Sequence, residues 1–143
     1  MGSIVLDASR GPILVVTFTG NVTSARFDAY LKQMTEAFED RSPRVVILDA
    51  LASGRAPAYQ RIRKAQWIRE GVTVLKQGTI ANIFVLASPV TRMVLTSILW
   101  IQRLPWPYYV VPNLEQALEK AYTILDECGV PHTPHGSPGQ PTE

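Results

Sequence analysis

Two stretches of this chain, residues 44–51 (RVVILDAL) and 79–87 (TIANIFVLA), are short, rich in β-branched residues and apolar almost without a break. Such a run reads as a strand buried on both faces of a sheet, because a strand with one wet face alternates polar and apolar residues. Helical spacing fills the chain between and after these runs. The alternation restricts the fold to an α/β sheet whose faces are covered by helices. Residues 3–8 and 13–19 are two further β-rich runs, parted by Ser9-Arg10-Gly11-Pro12, and they read as an antiparallel hairpin.

The helices follow from spacing and punctuation. Phe27, Tyr30, Leu31, Met34 and Phe38 form one stripe behind Thr23 or Ser24 as N-cap, ending before Pro43. A second helix is expected from about Pro57 to Lys76, turning Ile62, Ala65, Ile68, Val72 and Leu75 inward, with Gly71 as its weak point. Ser88-Pro89 opens a third, which runs to about Leu104 and is stopped by Pro105-Trp106-Pro107. Residues 108–111 (YYVV) are a last strand. Asn113 and Gln116 then cap a fourth helix with Leu114, Ala117, Leu118, Ala121, Tyr122 and Leu125 inward and Gly129 as its close. The expected order is β-β-α-β-α-β-α-β-α, a mostly parallel sheet with an N-terminal antiparallel hairpin. It occupies one domain over residues 1–130, and residues 131–143, all Pro, Gly and polar, are expected to be a disordered tail.

Composition bounds the role. A chain of 143 residues with 46% hydrophobic and 18% charged residues is one folded domain. A net charge of +2 gives no bulk drive toward nucleic acid, and no apolar run approaches the ~20 residues that span a bilayer. One cysteine excludes an internal disulfide, and with no signal peptide at the start the expected compartment is cytoplasmic.

The chemical inventory is thin. His132 and His135 fall in the expected tail, so no imidazole is expected inside the fold for base catalysis or metal binding. Cys128 sits beside Asp126 and Glu127, which oppose thiolate formation. Neither a G-x-G-x-x-G nor a G-x-x-x-x-G-K-[ST] loop is present. No catalytic residue, cofactor or metal is therefore expected.

Three features remain. In open α/β sheets, sites gather outside the carboxyl ends of the strands, which places Asp49, Ser53 and Gly54 at a ligand or switch loop. Asp49 either orients a ligand or is bonded within its own loop. Ser53 either takes a phosphate near a helix N-terminus or is ordinary turn chemistry. The second helix carries Arg61, Arg63, Lys64 and Arg69 around Trp67, which reads either as a partner-binding surface or as a solvated outer face. The third helix is apolar nearly all round. Met93, Ile98, Trp100, Ile101 and, just beyond it, Trp106 would line an apolar pocket, meet a second copy of the chain or be buried in the monomer.

The element order, Phe18-Thr-Gly20 before the first helix, Val46-Ile-Leu-Asp49 in the central strand, and Asn113-Leu-Glu-Gln-Ala117 opening the last helix together resemble the STAS domain. The resemblance spans roughly residues 3–128 and is greatest to the bacterial SpoIIAA-like branch, whose core is related to lipid-carrying CRAL-TRIO domains. It implies a non-enzymatic regulatory module with a protein partner, often switched by phosphorylation of a Ser or Thr at the start of the second helix. Anti-sigma-factor antagonists carry an Asp-Ser-Ser-Gly-like stretch there; this chain has Arg55-Ala-Pro-Ala-Tyr-Gln60, and Ser53 is the nearest hydroxyl. The expected role is thus a signalling module docking on a protein through the Ser53 loop and the second helix. The alternatives are a binding protein for a small apolar ligand or lipid, and a homodimeric structural module.

Overall fold

Pairing begins with β1 (Ser3–Arg10) and β2 (Ile13–Gly20), which run antiparallel with Ser3 opposite Thr19 and Leu6 opposite Val16. The computed structural model describes residues 2–40, 42–53, 57–87, 89–101, 103–104 and 106–132. After the hairpin come α1 (Ser24–Ala37), β3 (Arg44–Ser53), α2 (Ala58–Glu70), α3 (Val72–Gly78), β4 (Thr79–Val85), α4 (Pro89–Ile101), β5 (Tyr108–Val111) and α5 (Leu114–Cys128). The five strands lie in chain order, and every pair after the hairpin is parallel. The α/β sheet with an antiparallel start is the one expected from the sequence.

Chain order in the sheet also decides where the helices go. Successive parallel crossovers of the same hand return over the same face. Accordingly α1, α3 and part of α2 share one core with Leu14, Val16, Val46 and Leu48. The neighbouring residues Ile13, Val15, Val45, Ile47, Ile83 and Val85 point to the opposite face, where α5 covers them with Ala117, Ala121, Tyr122 and Leu125. Both faces are dry, which is why the runs in β3 and β4 are continuously apolar.

The caps of α1 and α5 follow the sequence. Thr23 accepts from the Arg26 amide at 3.2 Å, and Asn113 from the Gln116 amide at 2.8 Å. Gly129 ends α5 with φ +70°, and the Val130 amide reaches back to the Leu125 carbonyl at 2.9 Å. Nothing lies within 4 Å of a Cβ added at Gly129, so Gly129→Ala tests backbone strain alone. It should lower stability by about 1 kcal/mol, or roughly 3 °C in a thermal melt. An unchanged melt would refute the left-handed cap.

Several expectations need correction. The second helix is not continuous: Gly71, at φ −102° and ψ 14°, ends α2 and begins α3, as the low helix propensity of glycine allows. Ile62 is 46% exposed, and Gln60 is buried in its stead. β3 runs two residues beyond the expected 44–51 segment and includes Ser53. Trp106 is buried in the core beside α1 and β3 and offers no outer surface. The third helix is α4, which packs against α2 and leaves Met93 69% exposed, so it is not a deeply buried helix. Ser88 and residues 133–143, including His135, lie outside the described residues; His132 packs on α5, its ring 5.0 Å from that of Tyr122 and its Nε2 2.7 Å from Asp126. Among the described residues no helix is long and apolar enough to cross a membrane.

Candidate functional site

The carboxyl ends of the parallel strands converge under α2 and α4, and there the structure opens a partly enclosed cavity of about 140 Å³. Its walls come from the sheet and from three helices. β2, β3 and β4 contribute Phe18, Leu48 and Phe84, α1 contributes Phe27 and Tyr30, and α4 contributes Leu95 and Ile98. Helix α2 supplies the polar side, with Gln60, Arg61 and Lys64. Among the described residues no carboxylate lines the cavity.

The geometry of α2 sets this arrangement. Residues Gln60, Lys64 and Trp67 recur at i, i+4 and i+7, so they share the face turned toward α1. The Gln60 amide nitrogen donates to the Val22 carbonyl at 2.6 Å. Lys64 Nζ donates to Tyr30 Oη at 2.6 Å and lies 4.9 Å from the Tyr30 ring centroid and 4.7 Å from that of Trp67. Trp67 Nε1 in turn donates to Thr35 Oγ1 at 2.9 Å, fixing the indole. The ammonium thus lies against the Trp67 ring and beside the Tyr30 hydroxyl, its one hydrogen-bond partner among the described residues. It has no carboxylate partner among the described residues.

Burial dominates the titration of this pair. It pushes the Lys64 ammonium down to about 7, so at neutral pH the group is poised between amine and ammonium. Burial also drives the Tyr30 phenol above its ordinary range, which keeps it a neutral hydroxyl. The Phe18 ring meets Tyr30 edge-on at 5.4 Å and Phe27 approaches it at 5.6 Å, holding the phenol in place.

The residues singled out by sequence are distributed differently from expectation. Asp49 accepts from the Leu51 amide at 3.2 Å, inside an irregularity where Thr17 pairs with Asp49 but Thr19 pairs with Ala52. Its carboxylate closes a bulge in its own strand. Ser53 is half-buried, lines the cavity and donates to the Ala50 carbonyl at 2.9 Å. Gly54 lies outside the described residues, as do the side chains of Trp100 and Ile101.

The basic group of α2 does not share one outer surface. Lys64 and Trp67 turn inward, which corrects their placement on a solvated face. Arg63 Nε approaches Asp28 at 3.8 Å, where the Tyr59 hydroxyl is also bonded. Arg61 borders the cavity, and Arg69 stands exposed. Of the third-helix set, Ile98 reaches the cavity, Met93 points outward and Trp106 belongs to the core. Sequence reading passed over Tyr30, Gln60, Phe18 and Phe84 as site residues, since each reads as ordinary core or surface. The one available signal was the i, i+4 pairing of Gln60 with Lys64.

Chemically the site can bind and orient, with an ammonium and a hydroxyl side by side in an apolar chamber. Among the described residues no cluster of His, Cys, Asp and Glu could hold a metal ion, and Cys128 is exposed far along α5.

No family model matches this sequence, and no curated protein matches it. Solved structures do. An uncharacterised protein of the DUF3478 family with a SpoIIAA-like fold, from Shewanella loihica, superposes with a TM-score of 0.60 at 11% identity, over 84% of this chain and 93% of its own. An anti-sigma factor antagonist from Mycobacterium paratuberculosis gives 0.55 at 18% identity, over 85% and 95%. At these identities the likeness is one of architecture, and the chain is an α/β domain with the STAS, SpoIIAA-like fold.

Proposed function

We propose that this chain is a non-catalytic regulatory module that docks on a protein partner through the end of β3 and the first turns of α2. A group of exposed apolar side chains carries the reading: Leu51, Tyr59 and Ile62 are 47%, 48% and 46% exposed. Tyr59 and Ile62 stand at i and i+3, on one face of α2, and Arg69 lies two turns on from Ile62. Aromatic and aliphatic groups edged by arginine have the composition of an interface centre. Charge complementarity fits this surface to an acidic protein face with an apolar middle.

The similarity in fold to an anti-sigma factor antagonist supports the same kind of role, recognition of a protein instead of chemistry on a substrate. Ser53 is the candidate switch under this reading. A phosphate there would lie shortly before the N-terminus of α2, whose cap residue Pro57 makes no side-chain bond to it.

The test is capture by the tagged chain, with the partner identified by mass spectrometry and its affinity then measured with purified protein. Ile62→Glu and Arg69→Glu alter exposed positions and should leave circular dichroism unchanged. Ile62→Glu should weaken the partner by ~10-fold or more, and Arg69→Glu by less. A partner bound equally well by both variants would discard this surface.

A further inference from the structure

We infer that the cavity at the strand ends is a binding site for a small organic acid with an apolar body, its carboxylate held by Lys64 and Tyr30. This goes beyond the docking surface, which it borders at Ser53, and does not depend on it. Three observations converge. The cavity volume of about 140 Å³ is close to that of apolar cavities that take up one benzene-sized molecule. Phe18, Phe27, Leu48, Phe84, Leu95 and Ile98 supply the apolar walls. Among the described residues the polar lining brings two cations, Arg61 and Lys64, and no carboxylate.

An ammonium removed from water is stable only when hydrogen bonds or an anion replace its hydration. Lys64 Nζ has three N–H donors, and its hydrogen-bond partner among the described residues is Tyr30 Oη at 2.6 Å. Two donors are left for a ligand, and a carboxylate offers two acceptor oxygens in one plane. The Tyr30 hydroxyl, kept neutral by burial, adds a donor to the same anion. A dianionic phosphate would demand more donors than this pair provides. The groups that share a cavity with Lys64 from the other elements are apolar or neutral: Tyr30 from α1, Phe84 and the Ser53 hydroxyl from the strands and Ile98 from α4, with Thr79 and Asn82 in the smaller cavity on its other side. Arg61 is the second charge at the site, and Asp28 of α1 is taken up by Tyr59 and Arg63.

Three probes with the same phenyl body and similar size separate charge from shape: phenylacetate, 2-phenylethanol and 2-phenylethylamine, titrated into the full chain by calorimetry at pH 6.5. Phenylacetate should bind at least ~10-fold more tightly than the alcohol, and the amine should not bind. Lys64→Met should erase that preference while the alcohol still binds, and Leu95→Trp should block both by filling the chamber. At pH 8, phenylacetate binding should be accompanied by net proton uptake, read from buffers of different ionisation heat, because a bound carboxylate favours the ammonium. Equal binding of acid and alcohol, a preference that survives Lys64→Met, binding of inorganic phosphate as tight as that of phenylacetate, or no binding of any probe would each overturn the assignment.

Discussion

Raising the pH from about 7 toward 10 should stabilise the folded chain, by an amount on the order of 1 kcal/mol for each pH unit. The cause is Lys64. Its ordinary value is 10.5, and burial lowers it in the folded protein to about 7. Below pH 7 the lysine is protonated in both states, and folding must bury an ammonium. Above pH 7 the folded protein sheds that proton while the unfolded chain keeps it. The unfolded state then binds more protons, so stability rises with pH. Tyr30 limits the window from above: its phenol is held neutral by burial, so past its ordinary value of 10 the unfolded chain ionises first and stability falls again. Asp7 and Asp40, held low by hydrogen bonds from Ser9 and Ser42, affect stability only in acid, far from this range. Urea unfolding at several pH values from 6 to 10 measures the slope. Lys64→Met, which removes the buried charge, should be more stable than the parent at pH 6 and should lose the alkaline rise. A parent whose stability is flat or falling over this window would show that the ammonium remains well solvated.

The origin of this behaviour explains what the sequence could and could not convey. The strands and most helices were legible because burial on both faces leaves an unbroken apolar run, and a single covered face leaves a stripe. Phe27, Tyr30, Leu31, Met34 and Phe38 are all buried where the spacing placed them. The stretch over residues 58–78 was legible as helical, with Ala65, Ile68 and Leu75 inward, but neither its break at Gly71 nor the inward turn of Gln60 and Lys64 was. A stripe drawn through Ile62 counts lysine and glutamine as outward residues. In the fold, Gln60 finds the Val22 carbonyl and Lys64 finds two rings, so the helix turns these polar groups in and leaves Ile62 out. Apart from Trp67 on the same helix, the satisfying partners lie on α1 and on the segment before it, more than thirty positions away in the chain. Periodicity within one helix carries no record of them.

The site shows the same division. The rule that sites gather at the carboxyl ends of parallel strands points to the end of the sheet where the cavity lies. It drew attention to Asp49, whose carboxylate is spent on its own bulge, and to Ser53, which does border the cavity. The half-buried lysine of the cavity sits on the following helix, hidden among arginines that looked equivalent to it. Arg63 meets Asp28, Arg69 meets solvent, and Lys64 lies against the Trp67 ring and beside the Tyr30 hydroxyl. What distinguishes them is the position of Tyr30 across the helix pair, a tertiary fact.

Tyr30 should therefore be energetically inseparable from Lys64. Tyr30→Phe keeps the ring and its contact with the ammonium but removes the hydroxyl that accepts from Nζ. At pH 6 the variant should lose about 2 kcal/mol, the value of a hydrogen bond to a charged group whose donor is then left buried and unmet. In the Lys64→Met background the same substitution should be close to neutral, since the phenol hydroxyl there has already lost its partner. The double-mutant cycle should thus return a coupling of about 2 kcal/mol at pH 6. At pH 9 the coupling should shrink, because the folded protein then carries a neutral amine and the bond is no longer charge-assisted. Equal losses on removing the hydroxyl in both backgrounds would mean that Tyr30 acts only by packing. The cavity would then hold a lysine without a built anion site, and the preference for an acidic ligand would have no structural basis.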